Sequence, residues 1–181
     1  MSRIGKKPIA IPAGVTVNIE DNVVTVTGKL GTLTQKVSDL LSVESNGAEI
    51  VVSTKNDTRE SNSLHGLTRT LISNMVEGVS TGFTKDLVIN GVGAKVFSKE
   101  PRVIEMKLGF SHPVIFNAPE GITLTVPSVT EIRVFGFDKQ LVGQVAANIR
   151  AIKPVEPYHS YGIRYANEVV VKKEGKTAAK K

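Results

Sequence analysis

The stretch Pro12-Ala13-Gly14-Val15-Thr16-Val17-Asn18-Ile19 decides the fold, because its character recurs at Pro119-Glu120-Gly121-Ile122-Thr123-Leu124-Thr125-Val126. Each copy places apolar residues at alternate positions, a pattern typical of a half-buried strand. A second apolar run follows each copy, at 24–28 and at 132–136, and Asp21-Asn22 supplies a turn in the first copy. These stretches predict a β-hairpin that occurs twice, at an offset of 107 or 108 positions.

A helical pattern also occurs twice. Asp57 or Thr58 can cap a first helix that runs to about Ser80, and Asp138 can cap a second helix. Apolar side chains recur every three or four positions in both helices and predict the faces that pack on the sheets. They are Leu64, Leu67, Leu71, Ile72, Met75 and Val79 in the first helix, and Leu141, Val142, Val145 and Ile149 in the second. Matched positions of the two helices lie 77 residues apart, about 30 fewer than the offset of the hairpins. The second copy is therefore expected to lack about 30 residues between its hairpin and its helix. Residues 83–116, which precede the second hairpin, are the candidate for the strands missing there.

Further strands are predicted at 32–37, 50–53, 87–89, 103–108 and 113–116, with a turn at Asn46-Gly47. The glycines at 28 and 31 are interpreted as a β-turn and those at 91 and 93 as a strand bend or bulge, because strand residues surround both pairs. The fold class is therefore α+β: two tandem homologous domains, each a small, mostly antiparallel sheet with one helix packed on one face. We predict repeats at 1–82 and 83–172 and a basic tail at 173–181.

Positive charge is concentrated at the two ends of the chain. The net charge is +6; the first seven residues carry three cations, and residues 150–181 carry eight Lys or Arg against three Glu. Basic ends on a nearly neutral body indicate a polyanionic partner, nucleic acid first and an anionic membrane second, although ends that only solubilise the protein have the same composition. The 181 residues contain no Cys and no long apolar run, which excludes disulfides and predicts a cytoplasmic protein without a transmembrane helix.

Aromatic residues cluster near the C-terminus. All three tyrosines of the chain, Tyr158, Tyr161 and Tyr165, lie within eight positions, and Pro154, Pro157 and Gly162 disfavour a helix there. Rings used for packing are normally spread along a sequence, so we interpret the segment as a contact surface rather than as a plain edge strand after a loop. On the first helix, Asn62, His65, Arg69 and Ser73 form a polar stripe, which is either a solvated face or a second contact surface.

No arrangement typical of an enzyme is present. His65, His112 and His159 are far apart, and the sequence contains no metal-ligand, nucleophile or phosphate-loop motif. We therefore predict no catalytic activity, no metal site and no cofactor.

Several segments together resemble a known family. They are Ser2-Arg3-Ile4-Gly5-Lys6-Lys7-Pro8-Ile9, His65-Gly66-Leu67-Thr68-Arg69, Leu108-Gly109-Phe110-Ser111-His112-Pro113-Val114 and the stretch from Glu156 to Tyr165. The chain is similar, over nearly its whole length, to the bacterial ribosomal protein L-six family of the large subunit. The resemblance implies two homologous α+β domains and a structural role in translation. It also implies binding to large-subunit ribosomal RNA, chiefly through the second domain, near the factor-binding region at the sarcin–ricin loop. The implied protein partners are neighbouring ribosomal proteins, with translation factors as further candidates.

Cations and tyrosines of the C-terminal segment are the predicted RNA contacts, because cations pair with phosphates and rings stack on bases. These residues are Lys153, Tyr158, His159, Tyr161, Gly162, Arg164, Tyr165, Lys172, Lys173 and Lys176; secondary candidates are Arg3, Lys6, Lys7, His65 and Arg69.

The chain departs from the family pattern at two places. His159-Ser160-Tyr161 replaces the usual Lys-Gly-Lys, and Ala94-Lys95 replaces a common Tyr-Arg. Tyr161 is therefore expected to stack where a lysine would pair with a phosphate. The alternative function is a protein-interaction adaptor, whose exposed sheet edge near Val169–Val171 pairs with a partner strand.

Overall fold

A computed structural model describes residues 3–176. Its elements are divided between two compact units: the first comprises Met1–Phe83 with Phe137–Lys139, and the second comprises Thr84–Gly136 with Gln140–Lys181. The predicted boundaries at 82 and 172 remain predictions. Residues 177–181 of the predicted basic tail lie outside the described part of the chain.

The first unit consists of six strands followed by a long helix. The elements are β1 (Ile9–Ala10), β2 (Thr16–Glu20), β3 (Val23–Gly28), β4 (Gly31–Lys36), β5 (Leu41–Ser45), β6 (Glu49–Thr54) and α1 (Arg59–Ser80). They form two three-stranded antiparallel sheets, with strand orders β2-β3-β4 and β1-β6-β5. Strand β5 is missing from the sequence prediction, because its two serines and Glu44 obscured the alternation of buried Leu41 with half-buried Val43.

The predicted first hairpin is confirmed. Strands β2 and β3 pair in register from Thr16 opposite Thr27 to Glu20 opposite Val23. The turn residues Asp21 and Asn22 both have positive φ, 44° and 61°, as the tightest hairpin turns require. The next turn pairs Gly28 with Gly31, which confirms that the glycines at 28 and 31 belong to a β-turn.

Helix α1 begins at the predicted residue but presents a different face to the sheets. Thr58 is the N-cap: the Ser61 N–H donates to Thr58 Oγ1 (3.2 Å), and the Thr58 N–H donates to Ser61 Oγ (3.1 Å). The prediction that Leu67 belongs to the buried face is wrong, because its side chain is 54% exposed. His65 and Thr68 are buried instead, in line with Ile72, Val76 and Val79 at helical spacing.

Strand β1 forms one edge of its sheet. Ile9 lies opposite Ile50, and the Ile11 N–H donates to Ala48 O at 2.9 Å. Because hydrogen-bonding direction alternates along a strand, Ala10 turns its backbone groups toward the open side, and Pro8 and Pro12 are the next alternate positions before and after it. The Arg69 guanidinium donates to Lys7 O (3.1 Å) and to Pro8 O (3.3 Å).

The second unit contains the remaining seven strands and a shorter helix. The elements are β7 (Phe83–Asn90), β8 (Lys95–Glu100), β9 (Val103–Lys107), β10 (Val114–Asn117), β11 (Ile122–Ser128), β12 (Glu131–Gly136), α2 (Lys139–Ile152) and β13 (Gly162–Tyr165). Their strand orders are β10-β9-β8 and β11-β12-β7-β13. The predicted apolar face of α2 is confirmed at Val142, Val145 and Ile149, which are buried, whereas Leu141 is half-buried. Strand β8 was missed, because only Val96 in it is buried.

The two units repeat one topology, but not with the equivalences expected from the sequence. In both units a first strand is followed by a three-stranded meander, a hairpin and a helix, and the first strand joins the sheet of the hairpin. The hairpin β11-β12 therefore corresponds to β5-β6, not to β2-β3, so the predicted offset of 107 or 108 is wrong. Corresponding strands of meander and hairpin begin 79 to 83 positions apart, close to the spacing of the helices. No block of residues is missing from the second copy.

The α+β fold class is confirmed, with two small sheets and one helix in each unit. Strand β13 has no counterpart in the first unit. It pairs with β7 on the side that corresponds to the open side of β1. No helix within residues 3–176 is long and apolar enough to span a membrane.

Candidate nucleic-acid interface

Strand β13 fixes the C-terminal segment to the second unit. Ile163 is fully buried opposite Ile89, and its N–H donates to Lys153 O at 2.8 Å. Just before it the chain makes a tight loop, closed by the Glu156 N–H donating to Tyr161 O at 3.0 Å. Gly162 has φ +137°, and a Cβ there would lie 2.6 Å from Pro154 O, so only glycine fits. Gly162 is therefore the point of a close backbone approach that positions residues 154–161.

This loop presents aromatic rings to solvent. The side chains of Tyr158 and Tyr161 are 52% and 38% exposed. The His159 ring stacks on Tyr161, with centroids 5.4 Å apart and an interplanar angle of 17°. Glu156 Oε1 accepts a hydrogen bond from the His159 N–H (3.3 Å) and lies 3.1 Å from His159 Nδ1. Three rings of the predicted site are thus exposed on an ordered loop, as base stacking would require.

Other predicted contacts are occupied within the protein. The Arg164 guanidinium donates to the carbonyls of Tyr165, Ala166 and Glu168 at 3.3–3.4 Å. Half-buried Tyr165 has two cations near its ring, with Arg150 Cζ 5.7 Å and Lys85 Nζ 6.0 Å from the ring centroid. Arg164 and Tyr165 therefore stabilise the segment, a role that no sequence motif indicates.

An ion pair closes the segment after β13. The Arg150 guanidinium donates to both Glu168 carboxylate oxygens, at 2.9 and 2.6 Å, and the Tyr165 N–H donates to the same carboxylate at 3.1 Å. Hydrogen bonding to Arg150 is the largest cause that lowers the pKa of Glu168 below its ordinary value. The same bond raises the pKa of Arg150. Arg150 was not among the predicted site residues, since only the fold brings it to Glu168.

Replacing Glu168 with glutamine is expected to lower the unfolding free energy by about 0.5–1 kcal/mol at neutral pH, the magnitude of a partly exposed ion pair. The pKa of Glu168 is lower in the folded chain than in the unfolded chain. The pair's contribution is therefore present above the ordinary carboxyl pKa and is lost as pH falls through the lowered value. Urea unfolding of both proteins across pH should show the difference closing in acid. A Glu174→Gln control at an exposed position should match wild type, and a pH-independent difference would contradict the assignment.

The lysines beyond β13 are solvent-exposed. The side chains of Lys172, Lys173 and Lys176 are all exposed, and the Lys173 N–H donates to Pro157 O at 2.9 Å. That bond brings the lysine segment beside the aromatic loop. Val169 and Val171 are exposed too, but residues 168–176 belong to no strand, so the sheet edge expected there does not form.

Among the secondary candidates, the expectation that His65 faces solvent is wrong. Its side chain is buried, with Nε2 2.8 Å from Val52 O, and its ring packs so closely on Gly5 that a Cβ there would lie 2.6 Å away. Arg3, Lys6 and Lys7 are exposed on the chain that passes over this ring. Arg69 holds that chain through its bonds to Lys7 O and Pro8 O.

The fold and this surface define a class of protein: a tandem α+β repeat with a basic, tyrosine-bearing C-terminal face. Among residues 3–176, no group of three or more His, Cys, Asp or Glu side chains is placed to hold a metal ion.

Comparison with known proteins gives the family. A family model described as Ribosomal protein L6 matches residues 11–82 and 90–166. The large ribosomal subunit protein uL6 of Clostridioides difficile is 53% identical, over 99% of this chain and 100% of its own length. The protein of the same name from Chloroherpeton thalassium is 51% identical over 99% of this chain and 100% of its own length. The chain belongs to the ribosomal protein L6 family. This confirms the resemblance and the prediction that the protein is not an enzyme.

Proposed function

We propose that this protein is a structural constituent of the large ribosomal subunit, located in the cytoplasmic ribosome, that binds large-subunit ribosomal RNA through residues 153–176. One observation carries the RNA contact: an ordered loop with two exposed tyrosines lies beside an exposed lysine segment, joined to it by the Lys173–Pro157 bond. Lysines along phosphates supply affinity, and rings on unstacked bases fit the shape of a folded RNA.

The contacts divide into two roles. Lys172, Lys173 and Lys176 pair with phosphates, while Tyr158, His159 and Tyr161 contact bases or riboses. Gly162, Arg164 and Tyr165 hold these groups in place and need not touch the RNA. Arg3, Lys6, Lys7 and Arg69 form a secondary basic surface on the first unit, from which we leave out the buried His65.

The resemblance of the chain to its family adds a location for the bound RNA and a set of protein partners to this proposal. We place the bound RNA near the factor-binding region at the sarcin–ricin loop. Neighbouring ribosomal proteins are then further partners, and translation factors are partners at that region.

A salt series with protein-free large-subunit ribosomal RNA fragments tests the proposal. With about six phosphate contacts, from the three C-terminal lysines together with exposed Arg3, Lys6 and Lys7, affinity should fall on the order of a thousandfold between 50 and 200 mM salt. The double variant Lys172→Glu/Lys173→Glu should bind more weakly and reduce the slope of log affinity against log salt by about two or more. Exposed Lys29 and Lys36 provide a matched control, since Lys29→Glu/Lys36→Glu changes the net charge equally on the first unit.

The outcome also decides between functions. If wild type binds tightly with a steep salt dependence, and the Lys29→Glu/Lys36→Glu control binds in the same way, the result supports ribosomal RNA as the partner. Absence of binding by wild type contradicts the proposal and favours the adaptor, whose binding to a protein would not depend on salt. Truncation after Arg150 is a poor substitute for the charge variant, because it removes β13 and the buried Ile163.

A further inference from the structure

A cleft of about 170 Å³ lies beside the aromatic loop on the second unit. Its walls include the apolar side chains of Ile89, Val92 and Leu108, together with Asn90, Lys153 and Tyr161. None of the described residues that line it is acidic, and Lys153 supplies a positive charge. An apolar cleft with a cation and no carboxylate suits an anionic ligand that carries a flat, apolar group.

Lys153 joins this cleft to a second exposed ring. Its ammonium group donates to Leu108 O and lies 5.6 Å from the centroid of Phe110, in cation–π range. The Phe110 side chain is 46% exposed on the loop between β9 and β10, next to His112, with centroids 6.5 Å apart. The same lysine therefore borders both Phe110 and the cleft that Tyr161 lines.

The Tyr161 side of the cleft is held firmly. The Asn90 side-chain amide donates to Ser160 O at 2.9 Å, and His159 stacks on the Tyr161 ring. Ser160 has φ +62°, and its Oγ is buried without a hydrogen-bond partner among the described residues. The backbone of Ser160 is thus held in a sparsely populated conformation with positive φ, which indicates that the position of the adjacent Tyr161 ring is fixed.

We propose that Phe110, which lies beside Lys153, and Tyr161, which lines the cleft with Lys153, form a stacking site for unpaired nucleobases of the bound RNA. The ligand is a nucleotide rather than an apolar peptide, because the Lys153 ammonium at the cleft suits a phosphate and the described lining offers no carboxylate to a cationic partner. The inference rests on the proposed function. It adds to the RNA interface the loop between β9 and β10, in which none of the predicted site residues lies.

Phe97 provides a matched control for Phe110. It is 42% exposed on β8, and Lys107 Nζ lies 5.7 Å from its ring centroid, but it does not line the cleft. Phe110→Ala should weaken binding to single-stranded loops of the ribosomal RNA fragments about tenfold at fixed salt, as loss of one stacked base predicts. The salt slope should stay unchanged, because a neutral ring releases no counterions. Phe97→Ala should bind like wild type, and Phe110→Leu, which keeps apolar bulk, should be as weak as Phe110→Ala.

Thermal unfolding of each variant checks that the fold is retained, and a fully paired RNA helix serves as a second probe. Equal weakening on the paired helix would overturn the inference, since no base is free to stack there. Wild-type affinity of Phe110→Ala, with steep salt dependence intact, would overturn the inference alone and leave the proposed function standing. No binding by wild type would overturn both.

Discussion

Replacing Gly162 with alanine is expected to lower the unfolding free energy of the second unit by about 2–4 kcal/mol and to abolish tight RNA binding. The backbone there has φ +137°, which a residue with a Cβ rarely adopts. The new methyl group would meet Pro154 O at 2.6 Å and Val155 Cα at 2.8 Å. These are backbone atoms, so relief requires moving either β13 or the aromatic loop.

Urea unfolding and RNA affinity, measured on the same preparations, test this expectation. Gly175 is a control in the same segment, because a Cβ there meets no atom of residues 3–176 within 4 Å. Gly175→Ala should change the unfolding free energy by less than about 0.5 kcal/mol. If Gly162→Ala proved as stable and as tightly binding as Gly175→Ala, the close approach at residue 162 could not be what positions the loop.

Replacing Ile72 with alanine is expected to destabilise the first unit by about 2–5 kcal/mol. Ile72 is fully buried where α1 packs on the sheets, so the truncation leaves a cavity in a core built from aliphatic side chains. Leu67→Ala, five positions earlier on the same helix, should be nearly neutral, because that leucine is already mostly exposed and alanine favours helix.

Hydrogen exchange of α1 amides, with urea unfolding alongside, measures both variants. The comparison tests which face of the helix is buried, since sequence periodicity places both residues in the core. Similar losses for the two variants would show that the helix lies rotated from the described position.

The sequence predicted element types better than it predicted faces and equivalences. Helix α1 begins after its Thr58 cap and ends at Ser80, because capping and periodicity are local properties. The predicted buried face of α1 was wrong at Leu67. His65 is buried instead, because its ring bonds to Val52 O, an acceptor that only the folded β6 provides. The alternation of apolar and polar residues in both β2 and β11 led to the wrong equivalence of the hairpins β2-β3 and β11-β12. Any two edge hairpins with one buried face share that pattern.

In the candidate site, too, the sequence predicted local properties but not tertiary contacts. Clustered tyrosines and terminal lysines were visible in the sequence, and the structure exposes Tyr158, Tyr161, Lys172 and Lys173. The sequence could not distinguish Arg164, whose guanidinium binds three carbonyls, from a free cation. In the sequence only the family resemblance marks Phe110, because its proximity to Lys153 arises in the fold, where Lys153, directly after α2, donates to Leu108 O.

The prolines that flank β1 have a consequence for the behaviour of the free chain at high concentration. Pro8 and Pro12, on either side of Ala10, lack an N–H, and their carbonyls already accept hydrogen bonds from Arg69 and from the Val15 N–H. An incoming strand from another molecule would find few partners there. The first repeat thus guards against fibril growth and strand-swapped aggregates at the position where the second repeat accepts a strand of its own.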